Sequence, residues 1–167
     1  LRRRLDRSLA DARGYEDLLD RTRVFVQEQR FMIGVRVITG TASARQLGQT
    51  FARLADVLLA RVLDATMAEF ERQHGVIPDG RVALLAMGKL GSEELTAASD
   101  LDLILLYDHD ADAAASDGKR PLPPTQYYAR LTQRLVTAIT APTAEGSLYE
   151  VDFRLRPSGN AGPLATR

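Results

Sequence analysis

In the first 80 residues, apolar side chains recur three and four positions apart, the spacing of one face of an α-helix. A short first helix, ended by Gly14, is predicted from three leucines: Leu1, Leu5 and Leu9. A second helix is predicted from 15 to 39, with Gly40 as its stop. The charged face of this helix is interpreted as solvated surface rather than a binding patch, and consists of Arg21, Arg23, Glu28 and Arg30.

The third predicted helix has the clearest ends. Ser43 and Gln46 have the spacing of a capping box, in which each residue satisfies an amide left open at the helix start. Gly75 is a typical stop, and His74 is interpreted as a last-turn cation favoured by the helix dipole. One apolar stripe follows the cap: Leu47, Phe51, Leu54, Leu58, Val62 and Ala65. These three helices carry no chemistry that the sequence identifies.

The pattern changes after the turn at 78–80, where short apolar runs predict strands. The run 82–87 predicts a buried strand, followed by a glycine turn and a short helix. In the next run, Asp100 and Asp102 share one face of a strand, roughly 7 Å apart. The opposite face is apolar: Leu101, Leu103 and Leu105. We therefore predict a boundary between a helical segment, 1–80, and a sheet-containing domain, 81–167.

A third aspartate lies in a later strand of similar polarity, 148–156. Its residues alternate between an apolar face, with Tyr149, Val151, Phe153 and Leu155, and a polar face, with Glu150, Asp152, Arg154 and Arg156. Before it, 108–126 is predicted to be a mobile acidic loop with His109 at its surface, and 125–141 a helix. Tyr127 and Tyr128 are interpreted as core residues of that helix rather than as a stacking site for a base.

The three aspartates suggest a metal site. An isolated Asp-x-Asp is more often a solvated strand end, but carboxylates on an apolar strand are costly unless paired or bound to a cation. If the two strands pair, Asp152 joins Asp100 and Asp102, and three carboxylates can hold two Mg²⁺ or Mn²⁺ ions. The nearby glycine turn could hold phosphate, or be a plain strand-to-helix turn. Candidate nucleotide-binding residues are Gly88, Lys89, Gly91, Ser92, Ser99, Arg154 and Arg156.

Composition narrows the alternatives. Lys+Arg and Asp+Glu both number 22, and this balance argues against a nucleic-acid binder. The absence of cysteine excludes disulfides, thiolate metal sites and cysteine nucleophiles, and two histidines are too few for a histidine metal cage. No apolar run is long enough for a membrane span, and no signal peptide is visible. Without an initial methionine, the sequence is interpreted as a piece of a longer, cytoplasmic protein.

Three segments together resemble the nucleotidyltransferase domain of the glutamine synthetase adenylyltransferase family: Gly88 to Leu95, Ser99 to Leu103 and Tyr149 to Gly159. This family belongs to the DNA polymerase β-like nucleotidyltransferase superfamily. The resemblance implies an α/β (α+β) fold in which a small mixed sheet carries the aspartates and a helical segment precedes it. The superfamily's glycine-turn and three-aspartate positions would be filled by Gly91-Ser92, Asp100, Asp102 and Asp152.

The resemblance also implies an activity. Enzymes of this family carry two such domains, one attaching AMP to a tyrosine of glutamine synthetase and the other removing it by phosphorolysis. Segments 149–152 and 156–159 look more like the adenylylating domain. The expectation is Mg²⁺-dependent (or Mn²⁺-dependent) AMP transfer from ATP, with glutamine synthetase as partner and a nitrogen-regulatory signal protein acting through other parts of the parent chain. The alternatives are deadenylylation and a fragment that binds nucleotide or a partner without turnover.

Overall fold

Helices occupy the first half of the chain, and a small sheet lies in the second half. The computed structural model describes residues 1–152 and 165–167. Within these ranges the elements are α1 (Arg2–Leu9), α2 (Tyr15–Ile38), α3 (Ala44–His74), β1 (Arg81–Ala86), α4 (Gly88–Gly91), β2 (Leu101–Asp108), α5 (Pro124–Thr140), β3 (Val151–Asp152) and β4 (Ala165–Thr166). In the part of the chain described, no helix is both long and apolar enough to cross a membrane.

The start and end of α3 are those the sequence predicts. The amide of Gln46 donates to the Ser43 hydroxyl, and the Ser43 amide donates to the Gln46 side-chain carbonyl at 2.9 Å. At the other end, Gly75 terminates the helix with a φ of 70°. Of the predicted stripe, Phe51, Leu54, Leu58 and Val62 are buried. The capping box and the apolar face of this helix are therefore confirmed.

His74 lies in the last turn of α3, as predicted, and it also makes a tertiary contact. Its side chain is 7% exposed, and its ring lies 4.4 Å from that of Phe70. Its Nδ1 donates to the carbonyl oxygen of Arg120 at 2.7 Å. The residue thus connects α3 to a segment more than 40 positions away in the sequence.

The segment between β2 and α5 is a loop, as predicted, and backbone hydrogen bonds join it to the end of α3. The amide of Gly118 donates to the His74 carbonyl at 3.0 Å, and the amide of Arg120 to the Gln73 carbonyl at 3.0 Å. Its acidic side chains are exposed, as predicted, but Ser116 is buried. His109 is half-buried, with its ring stacked on that of Tyr107 rather than free at the surface.

The sheet is mixed, as predicted, and β2 is its central strand. β1 is antiparallel to β2, with Ala86 opposite Leu103, whereas β3 and β4 are parallel to it. β1 forms an edge whose residues alternate between exposed and half-buried, and Leu85 is 44% exposed. The prediction of a buried first strand is therefore wrong, because only the face with Val82, Leu84 and Ala86 packs against the core and the other face is open to solvent.

A single apolar core joins the helices to the sheet. Its members include Leu54 and Leu58 of α3, Leu103 of β2 and Leu131 of α5, all nearly fully buried. On β2, the apolar face predicted from alternation is buried: Leu101, Leu103 and Leu105. The opposite face of the same strand is thereby left to carry Asp102.

Candidate active site

Two of the three candidate carboxylates lie side by side on neighbouring strands. β3 runs parallel to β2 with Asp152 in register with Asp102, as Val151 is with Leu101. Neighbouring strands lie about 4.8 Å apart, and residues in register on parallel strands project to the same face of the sheet. Both aspartates are half-buried. The hypothesis that the two aspartate strands are neighbours is confirmed.

Asp100 lies at the entrance to β2 rather than within it. The strand begins at Leu101, whose amide donates to the Glu150 carbonyl at 3.0 Å, and Asp100 is exposed. Across residues 1–152 and 165–167, no three acidic or histidine side chains converge closely enough to hold a metal ion. The paired aspartates supply the hard oxygen ligands that Mg²⁺ or Mn²⁺ prefers. The structure therefore brings two candidate carboxylates together, whereas a three-carboxylate cluster for two cations is not assembled among the described residues.

Gly88 fixes the glycine turn against this pair. Its φ is 51°, a left-handed conformation that glycine adopts without strain. A Cβ atom at this position would overlap the carboxylate of Asp102. The adjacent amide of Met87 donates to the Asp102 backbone carbonyl at 2.9 Å. The turn is thus in direct contact with the candidate metal ligand, and only glycine satisfies both the conformation and the contact.

The rest of the turn differs from its prediction. The helical turn is α4 itself, and 92–100 contains no helix, so the helix expected after Ser92 is wrong. Gly91 packs closely on β1, since a Cβ there would lie 2.8 Å from the Ala86 carbonyl oxygen. Glu93 follows with a φ of 58°, which takes the chain out of helical geometry. The Ser92 hydroxyl is exposed and donates to the Glu94 carboxylate at 3.1 Å.

The remaining candidate nucleotide-binding residues lie in different environments. Lys89 is exposed on α4. Ser99 closes a local turn, because its hydroxyl oxygen accepts the Thr96 amide at 3.1 Å. Arg154 and Arg156 lie outside the described residues.

Gly48 makes a close packing contact beside the glycine turn that the sequence reasoning missed. A Cβ there would lie 3.1 Å from the carbonyl oxygen of Glu93, so α3 lies tightly against the segment that follows α4. A cavity of about 620 Å³ opens beside this contact, large enough for a nucleotide-sized ligand, and Arg45, Gln49 and Ser92 contribute to its wall. The available signal was a glycine within an otherwise strong helical pattern, which often marks a close packing contact.

Residues of α2 hold the chain in place just before β3. The guanidinium of Arg30 donates to the Leu148 carbonyl at 2.8 Å and lies 4.2 Å above the centre of the Tyr149 ring. Burial raises the pKa of Tyr149, and the nearby guanidinium opposes that rise. Arg23 is only 3% exposed and donates to Asp20 and to the Ala138 carbonyl. The interpretation of Arg23 and Arg30 as solvated surface is therefore wrong.

The family comparison and the comparison with curated proteins indicate the same enzyme family. Residues 1–167 match the family described as glutamate-ammonia ligase adenylyltransferase. Three curated relatives share the name "Bifunctional glutamine synthetase adenylyltransferase/adenylyl-removing enzyme". The relative from Brucella suis is 59% identical over 166 residues, which are 99% of this chain and 17% of the relative. That from Mesorhizobium japonicum is 58% identical over 163 residues, 98% of this chain and 16% of the relative. That from Agrobacterium fabrum is 56% identical over 167 residues, 100% of this chain and 17% of the relative. The chain thus spans about a sixth of the length of these relatives.

Proposed function

This chain belongs to the glutamate-ammonia ligase adenylyltransferase family, and from that premise we propose that it is a nucleotidyltransferase domain that transfers AMP from ATP to a tyrosine hydroxyl of glutamine synthetase. The observation that carries the proposal is the register of Asp102 with Asp152, beside a glycine turn that contacts the Asp102 carboxylate. A carboxylate pair next to a close backbone turn suits a metal-bound triphosphate. Glutamine synthetase as the acceptor is inferred from the name of the relatives, and the tyrosine from the family resemblance.

In the proposed reaction, the tyrosine oxygen attacks the α-phosphorus of ATP, and the bond to pyrophosphate breaks. Asp102 and Asp152 would hold a divalent cation, with Asp100 approaching from the strand entrance. When bound, Mg²⁺ or Mn²⁺ would neutralise charge on the phosphates and on the leaving pyrophosphate. Asp152 would also position the tyrosine hydroxyl and accept its proton.

Phosphate binding would involve the glycine turn and the basic residues after β3. The backbone of Gly88, Gly91 and Ser92 would approach the β- and γ-phosphates, with Lys89 and Ser99 beside them. Arg154 and Arg156 would neutralise negative charge. Such a site accelerates transfer mainly by positioning and electrostatic stabilisation. The Ser92 hydroxyl would have to exchange its bond to Glu94 for a phosphate oxygen.

The same site could run the reaction in either direction. The relatives' printed name includes both adenylyl transfer and adenylyl removal. Segments 149–152 and 156–159 resemble the transferring domain, so we propose adenylylation. Phosphorolytic removal, with inorganic phosphate as co-substrate, is the alternative that the same residues could perform.

Mass spectrometry of glutamine synthetase tests both directions. Unmodified and AMP-modified glutamine synthetase would each be incubated with this chain, either with Mg²⁺ and ATP or with Mg²⁺ and phosphate. We expect AMP to appear on a tyrosine in the ATP reaction and to be absent when EDTA replaces Mg²⁺. Loss of AMP in the phosphate reaction alone would reverse the direction. No change in either reaction would contradict catalysis by this chain and leave only binding.

A further inference from the structure

A second cavity, of about 340 Å³, is lined by α1, α2 and α3, with no residue of the sheet in its wall. Each helix contributes one arginine to it: Arg4, Arg36 and Arg53. None of its lining residues is an aspartate or glutamate. The cavity is therefore a concentration of positive charge in a chain whose formal net charge is zero.

These three arginines lack acidic partners, whereas some other arginines in the protein have them. Arg21 is paired with Asp17, one helical turn away, at 3.0 Å. Among the described residues, by contrast, the guanidinium groups of Arg4, Arg36 and Arg53 make no ion pair or hydrogen bond. All three side chains are exposed, and together they give the cavity a positive potential that would attract an anion.

A buried amide supplies a second, independent observation. Gln29 of α2 lines the same cavity and is 7% exposed. Its side chain forms no hydrogen bond with any residue in the described ranges. The amide atoms of Gln29 are not among the polar atoms sealed from solvent without a partner, so they open onto the cavity, where a ligand oxygen could take the place of water. Because an amide can both donate and accept, it suits a ligand oxygen that is either ionised or protonated.

Another arginine-lined cavity differs in its balance of charge. It is lined by Arg23, Arg130 and Arg134 together with Glu16. There, Arg23 is paired with Asp20 at 2.8 Å, and Arg134 lies 3.7 Å from a Glu69 carboxylate oxygen. Its positive charge is therefore largely neutralised by the protein's own carboxylates.

We propose that the cavity between α1, α2 and α3 binds a small molecule carrying two or more carboxylate or phosphate groups. Arg4, Arg36 and Arg53 would pair with the anionic groups, because the planar guanidinium fork matches both chemistries. Gln29 would hydrogen-bond an oxygen deeper in the cavity. Ile33 and Leu54, both buried, form the apolar part of the wall and would contact the carbon skeleton.

Citrate and inorganic phosphate are suitable probes, tested by calorimetric titration at constant ionic strength without divalent cations, which citrate would chelate. We expect saturable citrate binding with a Kd of about 1 mM or tighter. The double variant Arg36→Gln/Arg53→Gln should weaken binding about tenfold or more. The control Arg2→Gln/Arg81→Gln removes the same net charge at exposed positions outside the cavity and should change the Kd less than about twofold.

Gln29→Met distinguishes a built site from general attraction of anions. This change keeps the side-chain length but removes the amide, so citrate binding should weaken while the thermal stability of the ligand-free protein is unchanged or raised. The proposal would be overturned if the cavity variant Arg36→Gln/Arg53→Gln bound citrate as tightly as the control variant. It would also be overturned if citrate binding to the unchanged protein did not saturate below about 10 mM. A poly-glutamate peptide that displaces citrate at lower concentration would also overturn it, in favour of an acidic protein segment.

Discussion

At the scale of single residues, Gly88 is the most constrained position near the candidate site. Gly88→Ala would place a methyl group against the Asp102 carboxylate in a left-handed conformation. We expect AMP transfer to fall about a hundredfold or more, since misplacing a catalytic group by about 1 Å has that effect. Steady-state kinetics and thermal unfolding would separate this loss from unfolding.

The matched control is Gly34→Ala, near the C-terminal end of α2, where an added Cβ meets no atom within 4 Å. It should leave transfer unchanged and raise the free energy of unfolding by about 0.5–1 kcal/mol, because alanine favours a helix over glycine. Full activity in Gly88→Ala would show that the turn does not lie against Asp102 in the working protein.

Asp102→Asn tests the carboxylate itself. The amide is nearly the same size but is a weaker ligand for a hard cation, so Mg²⁺-dependent ATP binding should be lost while the fold persists. Asp112→Asn is the control, because Asp112 is an exposed acid between β2 and α5. Calorimetric titration with ATP, with and without Mg²⁺, gives the measurement. Equal binding by both variants would remove Asp102 from the proposed metal site.

Sequence predicts the direction of a side chain along a strand better than it predicts whether an arginine is buried. Alternation along β2 predicts which residues share the face of Asp102, because side-chain direction in a strand is a local property. Burial of an arginine depends instead on distant partners. Arg23 donates to residue 138 and Arg30 to residue 148, and nothing in their own helix indicates those contacts. The same holds for Gly48 and its contact with Glu93.

At the scale of elements, the capping box of α3 has a measurable energetic role. Ser43→Ala removes the acceptor of the Gln46 amide and should lower the free energy of unfolding by about 1 kcal/mol. Ser8→Ala is the control, because that hydroxyl only donates to the Leu5 carbonyl within α1. Urea unfolding would measure both. An equal effect of the two changes would mean that the cap contributes nothing to stability.

The start of α5 predicts how stability depends on alkaline pH. Burial raises the pKa of Tyr127 and of Tyr128, and the Tyr127 hydroxyl donates to the Gly75 carbonyl at 2.9 Å. The folded state thus holds these protons more tightly than the unfolded state, whose tyrosines ionise near pH 10. Stability is therefore fully present below about pH 10 and is lost as the pH rises from there toward the folded-state values.

Tyr127→Phe removes one of these groups. At neutral pH the change should lower the free energy of unfolding by about 1 kcal/mol, because a hydrogen bond is lost. Above about pH 10 the free energy of unfolding should fall less steeply with pH than in the unchanged protein. Urea unfolding at several pH values would give the slope of the free energy of unfolding against pH for each protein. The same slope in both proteins would show that Tyr127 ionises equally well in the folded state.

Element predictions fail where exposure is set by neighbouring elements. β1 has an apolar composition, but only one of its faces packs against the core, so Leu85 on the other face is exposed. The acidic, proline-containing stretch before α5 has the composition of a mobile loop, yet its backbone amides bond to carbonyls at the end of α3. Capping and periodicity are local, so α3 was predictable from sequence. Edge position and loop anchoring depend on the assembled fold.

At the scale of the whole molecule, the candidate site depends on chain segments that are far apart in sequence. β3 meets β2 because α5 brings the chain back along the sheet, and residues of α2 hold the turn before β3 through Arg30. The sequence indicated the polarity of each strand, but the pairing of Asp102 with Asp152 follows from the topology. The resemblance to a family made this pairing an expectation that local patterns alone could not provide.

The continuous core leads to a prediction about the boundary proposed between 1–80 and 81–167. Leu58 of α3 belongs to the same buried cluster as Leu103 and Leu131, so the helices cannot separate from the sheet without exposing apolar surface of both. We expect one cooperative unfolding transition, with far-ultraviolet circular dichroism and tyrosine fluorescence giving the same midpoint. Leu58→Ala should lower the free energy of unfolding by about 2–5 kcal/mol and shift both midpoints down together. The exposed control Val76→Ala should change the free energy of unfolding little. If Leu58→Ala lowered only the helical signal, or if two transitions appeared, the helical segment would be a separate unit and the boundary at residue 80 would mark a true domain division.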